Sequence, residues 1–260
     1  MNRILNCDKM LVRGVNWVGD AVMTMPAIRS VRDTLPDARI SLLVKPWVFD
    51  LFKHDPNIDD LISYKKQYSG FWGKLRASGD LKKHGFRCAL LLQNAFDAAA
   101  IAALAGIPRR IGYSRDARRF LLTDPVGIDR DTMKLHHIRY YLTLLEKAGL
   151  VSPYRLPWIY PDLGERIEIR SIFGGLNRPL IGLNPGAAYG SAKRWQSAKF
   201  ARVVEHVIGE LGGSVVLFGS EKDQPISNEI MHAIDRGMAA ENTVLSLAGK
   251  TTPGDLCNLI

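Results

Sequence analysis

Cysteine is scarce in this 260-residue chain: Cys7, Cys88 and Cys257 are all it has. Three scattered thiols, odd in number, suggest neither a zinc cluster nor a full disulfide framework, and a reducing cytoplasm fits them best. Long apolar runs are lacking too. The greasiest segment, residues 89–106, is broken by Gln93, Asn94 and Asp97, which argues against a membrane span. The opening residues, MNRILNCDKMLVRG, have no signal-like apolar core. Neither a P-loop nor a G-x-G-x-x-G fingerprint occurs, and there is no tandem repeat or low-complexity tract. Acidic residues are outnumbered, 26 against 35 Lys and Arg, for a net charge of +9. That excess favours an anionic partner, a phosphorylated ligand or a membrane surface; the sparse aromatic interleaving speaks against nucleic acid. At 47% hydrophobic and 23% charged residues, the composition sets aside disordered and fibrous classes.

What is present is an alternation of short apolar runs with helical patterns. Residues 10–13, 40–44, 89–92, 180–183 and 215–218 read as strands buried on both faces. Residues 21–34, 71–84, 136–148, 198–211 and 225–236 carry apolar positions three and four apart and read as helices. The fold class is therefore α/β with mostly parallel sheets. Proline clustering from residue 151 onward marks a connection, which gives an N-terminal domain over 1–155, a linker over 156–176 and a C-terminal domain over 177–260.

Three stretches carry chemistry. In LVRGVNWVGDAVMTMPAIRS, residues 11–30, Gly14 and Gly19 bracket a loop from strand to helix and Asp20 falls at the helix start. Asp20 reads either as a helix N-cap or as a general base at the carboxyl edge of the first strand. A helix N-terminus keeps such a carboxylate ionised, so position would have to supply much of its effect. In IGLNPGAAYGSAKRWQSAKFARVVEHV, residues 181–207, a small-residue loop containing Ala188 leads to Lys193 ahead of a helix. Backbone amides and a lysine there suit a diphosphate; the plainer reading is a solvated surface loop. In SVVLFGSEKDQPISNEI, residues 214–230, a strand runs into Gly219, Ser220, Glu221 and Asp223. A carboxylate in that position accepts ribose hydroxyls in nucleotide-binding units, and it also serves as a helix cap.

Together with SLAGKTTPGDL, residues 246–256, these stretches resemble the ADP-heptose:lipopolysaccharide heptosyltransferases of glycosyltransferase family 9. The resemblance runs through nearly the whole chain in order, and NWVGDAVMTMPAI looks most like the subgroup that adds the second heptose. It implies a GT-B architecture, two Rossmann-like domains facing across a cleft, with the acceptor on the N-terminal domain and the nucleotide sugar on the C-terminal one. It implies an inverting transfer that needs no metal or cofactor, ADP-heptose being the donor substrate. Asp20 then corresponds to the catalytic base and Lys193 to the lysine that neutralises the donor diphosphate. Ala188, Gly219 and Ser220 line the donor; Glu221 or Asp223 takes the ribose; and Leu247, Gly249, Lys250 and Thr251 flank the adenine. Arg13, Asn16 and Trp17 are expected on the acceptor side. The family continues past DLCNLI into an Asp-x-Gly-x-x-His stretch, whereas this sequence stops at Ile260, so the C-terminal domain is expected to be partial and the chain a truncated member or a piece of a longer protein.

The segment PRRIGYSRDARRF, residues 108–120, holds five arginines against Asp116. It reads as a solvated cationic face or, with Arg115 and Arg118, as a contact for acidic groups of the lipopolysaccharide inner core. A peripheral position at the cytoplasmic face of the membrane goes with that acceptor. His136 and His137 open a helix without metal-ligand spacing and read as structural. Two further readings stay open: a family 9 transferase using another nucleotide sugar, and a catalytically silent glycolipid-binding fragment.

Overall fold

The computed structural model describes residues 7–150, 153–187, 191–234 and 243–260. The chain divides into two compact units, Met1–Tyr160 and Pro161–Ile260. The first contains β1 (Lys9–Arg13), α1 (Val18–Thr34), β2 (Arg39–Val44), α2 (Pro46–Phe49), β3 (Asp60–Ser63), α3 (Gly70–Lys82), β4 (Cys88–Leu91), α4 (Phe96–Leu104), β5 (Arg109–Tyr113), β6 (Asp124–Val126), α5 (Arg130–Lys134) and α6 (His137–Lys147). Its six strands are all parallel, in the order β3-β2-β1-β4-β5-β6. The centre of the sheet is apolar: Met10, Leu11 and Val12 of β1 and Ala89, Leu90 and Leu91 of β4 are almost wholly buried. Helices cover both faces, as all-parallel sheets require.

The apolar runs locate β1, β2 and β4 to within a residue of their observed bounds. The outer strands β3, β5 and β6 escape that signal because charged residues stand in them. Arg109 of β5 pairs with Asp124 of β6 at 2.6 Å, and Arg39 of β2 pairs with Asp60 of β3 at 2.7 Å. The greasy segment 89–106 resolves into most of β4 and the helix α4, whose Ala98, Ala99, Ile101 and Ala102 are buried. Among the described residues no helix is long and apolar enough to cross a membrane. Cys7 and Cys88 do not stand apart as their sequence separation suggests. Pairing of Met10 with Cys88 across β1 and β4 brings them together as a disulfide with Cα atoms 6.1 Å apart, and Cys257 takes no part in a disulfide among the described residues.

The second unit contains α7 (Leu163–Arg170), β7 (Leu180–Leu183), α8 (Ser197–Gly209), β8 (Ser214–Leu217), α9 (Gln224–Ala233), β9 (Val244–Ser246) and α10 (Pro253–Leu259). Its three strands are parallel in the order β7-β8-β9. Ala201, Val204 and Val207 of α8 and Ile226 and Ile230 of α9 close over Val215 and Leu217 to form its core. The expected linker over 156–176 does not remain a connection. The unit boundary falls after Tyr160, and α7, capped by Asp162 through the Glu165 amide, packs against α10 inside the second unit. Only three of its eight residues are apolar, and two turns are fewer than the span over which periodicity is read.

Candidate active site

In the first sheet, chain order reverses between β1 and its neighbour β4. The loops leaving the carboxyl ends of these two strands diverge there, and such switch points are where open α/β sheets hold ligands. The loop after β1 begins at Gly14, whose backbone lies so close to β2 that a Cβ would stand 2.7 Å from Val44 Cγ1. A larger residue would push the loop off the sheet. Trp17, in extended conformation, is the N-cap of α1 and has no side-chain capping bond. Asp20 is therefore the third residue of the helix, not its cap, and its carboxylate lies in the first turn with the side chain one-third exposed. Gly19 beside it has open space in place of a side chain.

The partner of Asp20 comes from α6, which packs along α1. His137 Nδ1 lies 3.1 Å from Asp20 Oδ1, leaving the second carboxylate oxygen without a protein partner among the described residues. Tyr141, one turn further along α6, is buried, and its phenol is pushed up by that burial and by the nearby Asp20 charge. His136 acts as the cap of α6, accepting from the Ile138 amide at 3.4 Å. The structural reading thus fits His136. His137, which the sequence also reads as structural, instead meets the Asp20 carboxylate.

Of the expected acceptor residues, Asn16 and Trp17 lie on this loop, with Trp17 more than half exposed. Arg13 is turned inward. It is 5% exposed, donates to the carbonyls of Gly14 and Leu43 and to Asn16 Oδ1, and burial lowers its pKa to about 10. Arg118 is also internal, at 0% exposure, and donates to Tyr113 O, Gln93 O and Asn94 Oδ1. It fixes the loop after β4 and is not available as a surface contact. Arg115 is the accessible member of the pair, near Asp116 at 3.5 Å and bonded to Tyr140. Gln93 and Asn94, which sequence analysis treated only as interruptions of an apolar run, lie on the loop after β4, on the other side of the switch point, where Arg118 holds them.

In the second unit the loops after all three strands converge at the carboxyl edge of the sheet. Gly249, in left-handed conformation at φ +71°, donates its amide to Gly219 O at 2.9 Å and so ties the β9 loop to the β8 loop. Asp223 is spent on structure: its Oδ2 accepts from the amide and hydroxyl of Ser220 at 2.9 and 2.6 Å. It also packs where side chains on Gly186 and Gly219 would stand. Glu221 stays exposed at the same edge, as do Lys250 and, less fully, Thr251. Leu247 is buried against Val216 and Leu259, so its side chain belongs to the core. Lys193 ends a short turn over Ser191–Lys193 just ahead of α8. Ala188 lies outside the described residues.

A family model described as glycosyltransferase family 9 (heptosyltransferase) matches residues 74–260. The chain belongs to glycosyltransferase family 9. Similarity to curated members of family 9 extends to the Asp20 loop as well. The chain is 33% identical over 252 residues to lipopolysaccharide heptosyltransferase 2 of Salmonella typhimurium, covering 94% of this chain and 72% of that protein. It is 32% identical to the Escherichia coli protein of the same description, with the same coverage. Among solved structures, E. coli ADP-heptose lipopolysaccharide heptosyltransferase II superposes with a TM-score of 0.82 at 29% identity, covering 96% of this chain and 76% of that one. A family 9 protein from Veillonella parvula, at 22% identity, shares the fold with a TM-score of 0.83 over 97% of this chain and 73% of that one. The chain is thus a glycosyltransferase of the α/β architecture expected from its sequence.

Proposed function

We propose that this chain transfers heptose from ADP-heptose to the inner core of lipopolysaccharide, with inversion at the anomeric carbon and Asp20 as general base. The observation that carries this reading is the Asp20 carboxylate in the first turn of α1, directly after the switch-point loop, one oxygen engaged by His137 and the other without a protein partner among the described residues. Asp20 takes the proton of the acceptor hydroxyl as its oxygen attacks the anomeric carbon. The bond from that carbon to the diphosphate breaks, and ADP departs with the electron pair. A cation beside the departing diphosphate is worth most when that charge develops, the role assigned to Lys193. Glu221 is the better candidate for the ribose, because Asp223 is already committed to its cap.

Peripheral contact with an anionic membrane face completes the reading. It is supported by the net charge of +9 and by the exposed aromatic pairs Phe71–Trp72 and Phe96–Phe120, near exposed Lys65, Lys66 and Arg119. The test is incubation with ADP-heptose and inner-core acceptor, with NMR of the product for its anomeric configuration. An inverted heptoside is expected. Transfer from a different nucleotide sugar alone would move the chain to another branch of family 9, and product with retained configuration would remove Asp20 as the base.

A further inference from the structure

Three neighbouring parallel strands, β3, β2 and β1, each deliver one residue at the carboxyl edge of the first sheet. Arg13 ends β1, Lys45 directly follows β2 and Tyr64 directly follows β3. The register pairs Arg13 with Leu43 and Val44 with Ser63, which sets the three side chains side by side. Both cations face one aromatic ring: Arg13 Cζ lies 5.0 Å and Lys45 Nζ 4.2 Å from the centroid of Tyr64. A ring quadrupole attracts a cation without cancelling its charge.

The pair has little else to balance it. Arg13 spends its donors on two carbonyls and an amide oxygen, all neutral. Lys45 donates no hydrogen bond from its ammonium, and no carboxylate lies within ion-pair distance of either cation among the described residues. The acidic group that acts on both from further off is Asp97, whose own ion pair is with Lys74 at 3.7 Å. Burial lowers the Lys45 pKa and the Arg13 charge lowers it further, the behaviour of a cation crowded by another cation.

Access is open on the Lys45 side. Lys45 is half-buried, and Trp47, 52% exposed, stands beside it with Lys45 Nζ 5.7 Å from its ring. Trp47 Nε1 donates to Asn16 O at 2.7 Å, which fastens this corner to the loop that leads into the helix turn carrying Asp20. We propose that Lys45, backed by the buried charge of Arg13 and walled by Trp47, anchors a subsite for a phosphate or carboxylate carried by the acceptor sugar. The inference rests on the reading that the first unit holds the acceptor, and it assigns a specificity role to a lysine that the chemistry-bearing sequence stretches do not contain. An anion here offsets two charges at once, and it positions the sugar that bears it close to the loop of the base.

Two measurements on the full chain test the subsite. Inorganic phosphate, added at constant ionic strength, is expected to shift the Trp47 indole N–H resonance saturably in the wild type and to leave it unmoved in Lys45→Met. A resonance that moves alike in both proteins, or in neither, overturns the subsite irrespective of any catalysis. In transfer assays Lys45→Met is expected to raise the acceptor KM about tenfold with kcat within about threefold, and Lys45→Arg to recover most of the loss. Acceptors treated with phosphatase, or with carboxylates reduced to alcohols, identify the anion: the one that matters raises the wild-type KM and abolishes the difference between wild type and Lys45→Met. An unchanged KM in Lys45→Met with every acceptor overturns the proposal. If the wild type transfers no heptose at all, the functional reading fails and the phosphate titration still decides the subsite.

Discussion

Asp20 and His137 stand 117 residues apart in sequence and meet at 3.1 Å across the packing of α1 on α6. The contact holds one carboxylate oxygen in a fixed direction, so the other is presented to the crevice in one orientation. Alignment of this kind is the means by which a positioned base contributes to turnover.

Conversion of Asp20 to Asn keeps the size of the side chain and its contact with His137 but removes the ability to take a proton. Turnover is expected to fall roughly 10²–10⁴-fold, the range for loss of a general base, with melting temperature and ADP affinity nearly unchanged. Because Trp17 and not Asp20 is the N-cap, little stability depends on the carboxylate. Turnover within a few-fold of wild type would falsify the assignment.

His137 supplies a separate test of alignment. His137→Ala is expected to lower kcat about tenfold while the acceptor KM stays near its original value, whereas His137→Asn, whose Nδ2 can stand where Nδ1 does, is expected to regain much of it. Equal kcat in both variants and the wild type would mean that the contact has no part in turnover.

The two arginines first grouped as acceptor contacts are expected to behave differently. Arg118→Ala removes a buried guanidinium and strands Tyr113 O, Gln93 O and Asn94 Oδ1, so it is expected to cost roughly 2–4 kcal/mol of stability. Arg115→Ala is expected to leave thermal unfolding unchanged and to raise the acceptor KM. Thermal melts of both variants, alongside acceptor kinetics, separate the two roles.

Lys193→Ala is expected to weaken ADP binding by roughly 1.5–3 kcal/mol, the worth of a charge-assisted contact, read by calorimetry. Equal ADP affinity in the two proteins would remove Lys193 from the diphosphate.

Acid sensitivity is expected at the β2–β3 edge. A hydrogen bond from Arg39, with help from Ser41, holds the Asp60 pKa at about 2, against roughly 3.9 for a free aspartate. A depressed carboxylate contributes stability that is fully present above about pH 4 and is lost as pH falls toward 2. Asp60→Asn is therefore expected to show a smaller drop in melting temperature than wild type between pH 5 and pH 2.5. Since Arg39 is largely solvent-exposed, the difference should be small and should shrink further in high salt.

The sequence by itself determined whatever depends on neighbours along the chain. Runs such as Met10–Leu11–Val12 and Val215–Val216–Leu217 mark strands buried on both faces, and three- and four-residue spacing marks α1, α3, α6, α8 and α9. The small-residue loops at the strand ends place Asp20, Lys193 and Glu221 at the carboxyl edges of their sheets, because a strand feeding a helix has its connecting loop there. Strand order and the direction of each side chain beyond its strand were decided only by the tertiary structure. The strands β3, β5 and β6 stabilise the sheet through cross-strand pairs such as Arg109–Asp124, which leave no periodic apolar mark. Arg118 and Arg115 look alike in sequence, yet burial beneath the β4 loop turns one inward and leaves the other at the surface. Asp20 with His137, and Lys45 with Arg13 and Tyr64, come together only because parallel pairing and helix packing join segments dozens of residues apart, and no local pattern encodes which distant segment will arrive.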